Sequence, residues 1–303
     1  MSSVASLVTA SSVDEAVAAI GGGARAVAGG TDLVVGARQG KTPLPGSIVA
    51  IHRLAELGGV VVADDGSLKL GALATHAEIE SNAVVRERFT ALADATAIVG
   101  SRSTRLHGTI GGNVMNASPA METGGPLLCL GASATFRSAH GTHWVAFDDL
   151  FVGPGQTSAK PDELLTAIDV PAPAAGTGSA YIRLEYRRQM EIAVVGATAV
   201  VTFDGDVISD ARVAITALAP TIHRVADAEA ALVGTDGGRA AADAAGAAAA
   251  AAAAPISDVR ASEDYRRAMA AVITRRAVEA AVIRAKGGTV AIPASTTTHG
   301  GVS

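Results

Sequence analysis

The stretch His107-Gly108-Thr109-Ile110-Gly111-Gly112-Asn113-Val114-Met115-Asn116-Ala117-Ser118-Pro119 sets the reading of this chain. Bulky apolar residues thin out here, and small and turn-forming residues replace them, ahead of the apolar run Pro126 to Leu130. A segment of this kind lets backbone N–H groups approach a ligand with no side chain in the way. Its setting between two apolar stretches suggests a phosphate-bearing ligand. A second glycine loop, Ala28-Gly29-Gly30-Thr31-Asp32-Leu33, follows a short apolar stretch and looks like its partner. Strand, glycine turn and helix is how a chain presents amides to an anion. Two such loops suggest one extended ligand held between two subdomains, and a diphosphate suits donors converging from both sides.

The composition agrees with a folded, multi-domain chain. There are 303 residues, 49% hydrophobic and 17% charged, so a substantial core is expected. Aromatics make up only 3%, which leaves Ala, Val, Leu and Gly to pack that core through many small contacts. The net charge of −5 argues against nucleic acid, which asks for a concentrated basic face. The one cysteine, Cys129, lies in the apolar run Leu127-Leu128-Cys129-Leu130 and reads as a small buried hydrophobe. No basic segment followed by an apolar run opens the sequence, and no run of about 18 bulky apolar residues is present. The expectation is a cytoplasmic protein with no transmembrane segment.

Periodicity supplies the elements. A helix is expected over Ser11 to Ile20, ended by Gly21-Gly22-Gly23, with residues 1–10 frayed or partly paired. Strands follow at Ala24 to Ala28 and Ser47 to Ile51, and a helix starts at Asp32. A hairpin crosses Asp64-Asp65-Gly66. A helix opens at Thr75, and one continuous helix is expected over 84–98 from the apolar face Val84, Val85, Phe89, Leu92 and Ile98. Strands are read at 132–136, 142–147 and 163–170. Residues 171–178 read as a linker. Beyond them come two strands, Val194 to Phe203 and Val207 to Leu218, and helices over 227–233, 238–253 and 262–286. The alanine run 247–254 reads as a helix that needs close approach. The tail 291–303 is expected to be mobile.

Familiar motifs are absent. No G-x-G-x-x-G follows a strand, and Gly40-Lys41-Thr42 lacks the P-loop glycine because position 35 is Val. Asn116-Ala117-Ser118 matches a glycosylation acceptor by chance, since nothing would deliver it to a glycosylating compartment. The seven histidines show no metal-ligand spacing. His76, after Thr75, reads as a capping or core residue, with a ligand contact as the alternative. Met115, Met121 and Met190 read as packing residues.

The same loops carry a family resemblance. Ala28 to Leu33, Leu70-Gly71-Ala72 with Thr75 to Glu78, and Gly108 to Asn113 with Ala117-Ser118-Pro119 resemble the FAD-binding medium subunit of molybdenum hydroxylases. This is the xanthine dehydrogenase and carbon monoxide dehydrogenase flavoprotein family. The resemblance runs on through Pro126-Leu127-Leu128, Leu130-Gly131-Ala132, Asp162 to Leu165 with Pro171, Tyr186-Arg187-Arg188 and Glu191-Ile192-Ala193. It ends in Pro255 to Arg260, Tyr265-Arg266 and Arg276-Ala277.

The resemblance implies an α+β chain. Residues 1–174 would form a two-subdomain FAD-binding fold like that of vanillyl-alcohol oxidase, divided near residue 53. Residues 175–290 would form a small sheet-and-helix domain. It implies FAD here, and [2Fe–2S] clusters and a molybdenum cofactor in a small and a large partner subunit, assembled as a dimer of heterotrimers. Electrons would pass from the clusters through FAD to an external acceptor, and no side chain of this chain is nominated as catalytic or as a metal ligand.

By the same resemblance Val27, Ala28, Gly29, Gly30, Thr31, Asp32 and Leu33 cradle the pyrophosphate. Thr109, Ile110, Gly111, Gly112 and Asn113 hold the diphosphate and flavin from the other side. Glu122 stands where the family usually has Asp, and Arg183 where xanthine dehydrogenases have Lys. Leu165 faces the flavin or adenine region, and Val99 stands where some relatives carry an aromatic. Two other readings remain open at this point: a self-sufficient flavin oxidoreductase of the same fold, and a non-catalytic nucleotide-binding module.

Overall fold

The computed structural model describes residues 4–40, 42–187 and 189–295. Lys41, Arg188 and the tail beyond Ser295 lie outside the described residues.

The N-terminal layer alternates strand and helix: β1 (Ser6–Thr9), α1 (Val13–Gly21), β2 (Arg25–Val27), α2 (Thr31–Arg38) and β3 (Ser47–Ala50). The strands form a parallel sheet in the order β1-β3-β2. Residues 6–9 are the paired part of the opening segment, with β3 as the partner. Helix α1 starts where its Ser12 hydroxyl accepts the Glu15 amide, and it buries Val13, Ala16, Val17 and Ile20.

The second layer begins with the hairpin β4 (Val60–Val62) and β5 (Leu68–Gly71). Six helices follow: α3 (His76–Ser81), α4 (Ala83–Arg88), α5 (Thr90–Thr96), α6 (Arg102–Arg105), α7 (Ile110–Asn116) and α8 (Gly124–Cys129). Strands β6 (Ser133–Ser138) and β7 (Gly141–Ala146), the small pair β8 (Phe151–Gly153) and β9 (Gln156–Thr157), and β10 (Leu164–Val170) complete it. The main sheet is antiparallel in the order β4-β5-β10-β6-β7.

Two expectations fail here. The helix expected over 84–98 is broken at Phe89, whose backbone leaves the helical region (φ −116°, ψ 48°). Val85, Phe89 and Leu92 still share one core, as the apolar face demanded. The break lets Ser179 bond the new first turn: Ala91 N–H donates to its Oγ (3.0 Å) and Thr90 Oγ1 to its carbonyl (2.6 Å). The loop over 107–119 is in large part helix α7, preceded by the unforeseen short α6.

The C-terminal domain is a second antiparallel sheet, β11 (Thr177–Leu184), β12 (Val195–Asp204), β13 (Val207–Thr216) and β14 (His223–Arg224), in that order. Helices α9 (Ala226–Ala230) and α11 (Glu263–Ala285) pack on it, and α10 (Arg239–Ala252) packs on those two helices. β11 begins inside the stretch read as a linker. Its Gly178 reflects close packing rather than a turn, since a Cβ there would stand 2.2 Å from Ala281 O on α11. The alanine-rich α10 packs on α11 the same way: a Cβ on Gly246 would lie 2.5 Å from Ala271 O. The close approach expected of this helix is therefore present.

A buried ion pair joins the two parts. Arg284 on α11 donates through both terminal nitrogens to Asp94 on α5, at 2.6 and 2.9 Å, and to Ser179 O at 2.7 Å. Asp94 also accepts the amides of Tyr181 and Ala294. Ala294 is buried, so the tail read as mobile from 291 is docked at least as far as this residue. Removing one partner of such a pair strands the other charge. Arg284→Met should cost about 3–5 kcal/mol in urea unfolding. Asp94→Asn combined with it should cost less than the sum of the single changes, by roughly 1 kcal/mol or more.

Candidate functional site

The site is built where the two glycine loops meet. β2 ends at Val27, and Gly30 takes the left-handed conformation (φ 68°) that a side chain resists. α2 then begins at Thr31. Its first-turn amides have no intrahelical acceptor, as in any helix, and no side chain caps them. Its macrodipole places partial positive charge at the same end. No residue of α2 is fully buried, and Val34 and Val35 are about half exposed.

The second loop arrives from α6. A Cβ on Gly29 would stand 1.8 Å from the His107 carbonyl oxygen, so the loops touch backbone to backbone. α7 is then pinned on the segment after β5. Ile110 N–H donates to Ala74 O and Gly111 N–H to Ala72 O, both at 2.9 Å, while His76 N–H donates to Gly108 O (3.1 Å). Gly111 has no room for a side chain, since its Cβ would meet Ala72 O at 2.5 Å. Thr109 caps the helix, its Oγ1 accepting the Gly112 amide (3.1 Å).

The two loops are consequently unequal. The amides of residues 110–113 already have acceptors within the protein, because Asn113 N–H bonds Thr109 O. The uncapped amides belong to α2. What the second loop offers outward is the exposed face of Gly112, where a Cβ would meet only Thr109 Oγ1, and the Asn113 side chain. Thr123 Oγ1–H donates to Asn113 Oδ1 (2.6 Å), which leaves the Asn113 amide nitrogen as a donor.

The remaining residues singled out in the sequence lie at different distances from this crossing. Glu122 is next to Thr123 in the chain and is buried. Its carboxylate pairs with Arg183 on β11, which also engages Glu185 and the Glu191 carbonyl. Burial pushes the Glu122 carboxyl up to about 7, against the pull of the Arg183 guanidinium. Glu122 and Arg183 therefore pair at the joint between the segment before α8 and the C-terminal sheet. The Leu165 side chain sits inside the core of the second layer, at a β-bulge in β10. The adjacent Thr166 carbonyl accepts the Ala72 amide (3.0 Å), which ties that bulge to the segment holding Gly111.

Sequence reasoning did not find the supporting residues. Ala72 and Ala74 act through carbonyls, which no side-chain pattern reports. Thr123 acts through a hydroxyl ten positions from its partner. Only Thr75 had a local signal: its capping box with Glu78 is present in full. Among the described residues no group of His, Cys, Asp and Glu is placed to hold a metal ion. Cys129 is buried, and burial raises its thiol pKa.

The chain matches known proteins over most of its length. Residues 3–173 match the family model described as the FAD binding domain in molybdopterin dehydrogenase, and residues 180–281 match the CO dehydrogenase flavoprotein C-terminal domain. The carbon monoxide dehydrogenase medium chain of Afipia carboxidovorans is 33% identical over 268 residues, covering 88% of this chain and 92% of that protein. The xanthine dehydrogenase FAD-binding subunit of Escherichia coli O157:H7 is 29% identical over 265 residues, 87% of this chain and 90% of its own length. Among solved structures, a carbon monoxide dehydrogenase of Hydrogenophaga pseudoflava lacking the Mo-pyranopterin moiety of its molybdenum cofactor superposes with a TM-score of 0.89. Its sequence identity is 31%, over 94% of this chain and 99% of that one.

The crossing makes a test of its own. Gly29→Ala must push the loops apart, and it should cost about 1–3 kcal/mol in thermal or urea unfolding. Gly21→Ala, with nothing within 4 Å of the new Cβ at the end of α1, should be neutral or stabilise by about 0.4–1 kcal/mol. Equal effects of the two changes would show that the contact carries no weight.

Proposed function

The chain belongs to the FAD-binding flavoprotein subunits of the xanthine and carbon monoxide dehydrogenase family, and we propose that it is the electron-transferring medium subunit of a heterotrimeric molybdenum hydroxylase. On this reading a small subunit carries two [2Fe–2S] clusters and a large subunit carries the molybdenum cofactor, in a dimer of heterotrimers. Substrate is oxidised in the large subunit, and this chain delivers the electrons to an external acceptor. The flavin-binding part would comprise residues 1–174, divided near residue 53, with residues 175–290 as the C-terminal domain. No helix among the described residues is long and apolar enough to cross a membrane. A cytoplasmic place belongs to the same reading.

The observation that carries this reading is the backbone contact of Gly29 with His107. It sets the uncapped start of α2 beside the segment that leads into α7, whose Gly112 face is bare. A diphosphate fits such a place. α2 offers amides and the positive end of its dipole, and Gly112 lets the ligand approach α7 closely. Asn113, oriented by Thr123, adds a neutral donor. Thr31, Asp32 and Leu33 would meet the pyrophosphate, with Val27 and Ala28 fixing the loop's entry. Thr109, Ile110 and Gly111 would act by holding Gly112 and Asn113 in place.

FAD, when bound, supplies the redox chemistry, and the chain supplies binding, orientation and electrostatics. Glu122 and Arg183 would contribute through the buried pair they form, and Leu165 through its backbone at the bulge. None of these residues need accept or release a proton for electrons to pass.

The test is flavin retention. Wild-type protein purified with its partners should show bound-flavin absorbance, and substrate of the assembled enzyme should bleach it. Gly112→Val places two methyls where the ligand would lie. It should weaken FAD binding at least tenfold, about 1.4 kcal/mol, while the flavin-free chain keeps its unfolding midpoint. Unchanged flavin content in this variant would overturn the site, and absence of flavin from the wild-type complex would overturn the function.

A further inference from the structure

The His76 backbone holds Gly108, but its imidazole ring has no role in the site as described so far. It is the first residue of α3, positioned by the Thr75–Glu78 capping box. Its backbone N–H donates to Gly108 O, and only 2% of the residue is exposed. A Cβ on Gly108 would stand 3.4 Å from the imidazole Cδ2 and 3.7 Å from Thr31 Oγ1. The ring and the first residue of α2 therefore approach the same glycine from the two layers, one residue from the point where Gly29 meets His107.

The two ring nitrogens have different surroundings. Nδ1 is fully buried and has no hydrogen-bond partner. Cδ2, the carbon bonded to Nε2, is the ring atom nearest Gly108. Burial, with the positive charge of Arg105 acting in the same direction, lowers the imidazole pKa to about 4. The ring is neutral at physiological pH and carries one proton. An orphaned N–H inside the protein costs more than an orphaned lone pair. The proton is therefore assigned to Nε2, the nitrogen bonded to the carbon beside Gly108.

We propose that His76 is a binding residue of the clamp, a neutral Nε2–H donor to a diphosphate oxygen of the cofactor. The inference rests on the flavin reading above and adds a donor to it. It explains a polar ring in a place where a core residue would ordinarily be Leu or Phe. α2 provides backbone donors from one layer, Asn113 a side-chain amide, and His76 a donor from the floor between them. A neutral donor suits a buried position, because it adds a directed hydrogen bond without an unpaired charge.

The test uses the full chain with FAD as probe. His76→Phe keeps a flat ring and removes the donor. It should raise the dissociation constant for FAD, measured by flavin fluorescence on the flavin-free chain, about tenfold. It should also move the ³¹P resonances of the bound diphosphate. His76→Gln, which restores an N–H donor, should recover most of the affinity.

In the wild-type chain, ¹⁵N shifts of the His76 ring should report the Nε2–H tautomer and should change at Nε2 when FAD is added. An Nδ1–H tautomer, or ring shifts indifferent to FAD, would overturn the proposal even if the Phe variant fails to fold. Unchanged affinity and ³¹P shifts in a folded His76→Phe chain, with Gly112→Val losing FAD, would remove His76 from the site and leave the clamp standing. Retention of FAD by Gly112→Val would instead remove the clamp itself.

Discussion

One backbone contact organises the molecule: Gly29 lies against the His107 carbonyl with no room for a single carbon between them. At that contact the parallel and antiparallel layers meet edge to edge, and Leu164 of β10 joins the core of the parallel layer. The parallel layer contributes the start of α2, and the antiparallel layer contributes α7. Neither layer alone presents a ligand with donors from two directions. The glycines on the two sides serve different ends. Gly111 allows α7 to sit on the Ala72 carbonyl, Gly30 allows the turn into α2, and Gly112 keeps the outward face bare.

Away from the crossing, the C-terminal domain is held by charged groups paired wholly or partly out of water. Asp94 and Arg284 hold the C-terminal helix and the docked segment near Ala294 against α5. Glu122 and Arg183 hold the start of α8 against β11. Arg266 on α11 reaches Asp258 and the Val194 carbonyl, fixing the segment before that helix. Buried pairs of this kind add little net stability over apolar contacts, yet they penalise any arrangement that separates the partners. A core short of aromatics, filled by alanine and valine, gains definition from them. Small side chains also permit the helix-on-helix and helix-on-sheet approaches at Gly246 and Gly178.

Most helices and strands were legible because their signals are local. Ser12, Thr75 and Ser262 cap helices as their residue types suggest, and the turns Asp64-Asp65-Gly66 and Asp204-Gly205-Asp206 close hairpins. Two misreadings come from a distant partner: β11 needs β12 and α11, and the break at Phe89 comes with Ser179 meeting the first turn of α5. Helices α6 and α7 carry local caps, Ser101 and Thr109, hidden in a stretch rich in turn-forming residues. For the candidate site, the two glycine loops could be read as a pair, but their division of labour could not. In sequence both look like rows of free amides. In the fold, Ala72, Ala74 and Thr109 take up the amides of α7.

The amino-acid sequence by itself determined which segments could bring bare backbone to a ligand, where helices begin, and which family the chain resembles, because these depend on residue type and short spacing. Tertiary structure decided which amides stay without a cap, which carboxylate meets which guanidinium, and which nitrogen of His76 is buried without a partner. Those outcomes depend on acceptors and burial supplied by residues far away in the chain, and no local pattern encodes them.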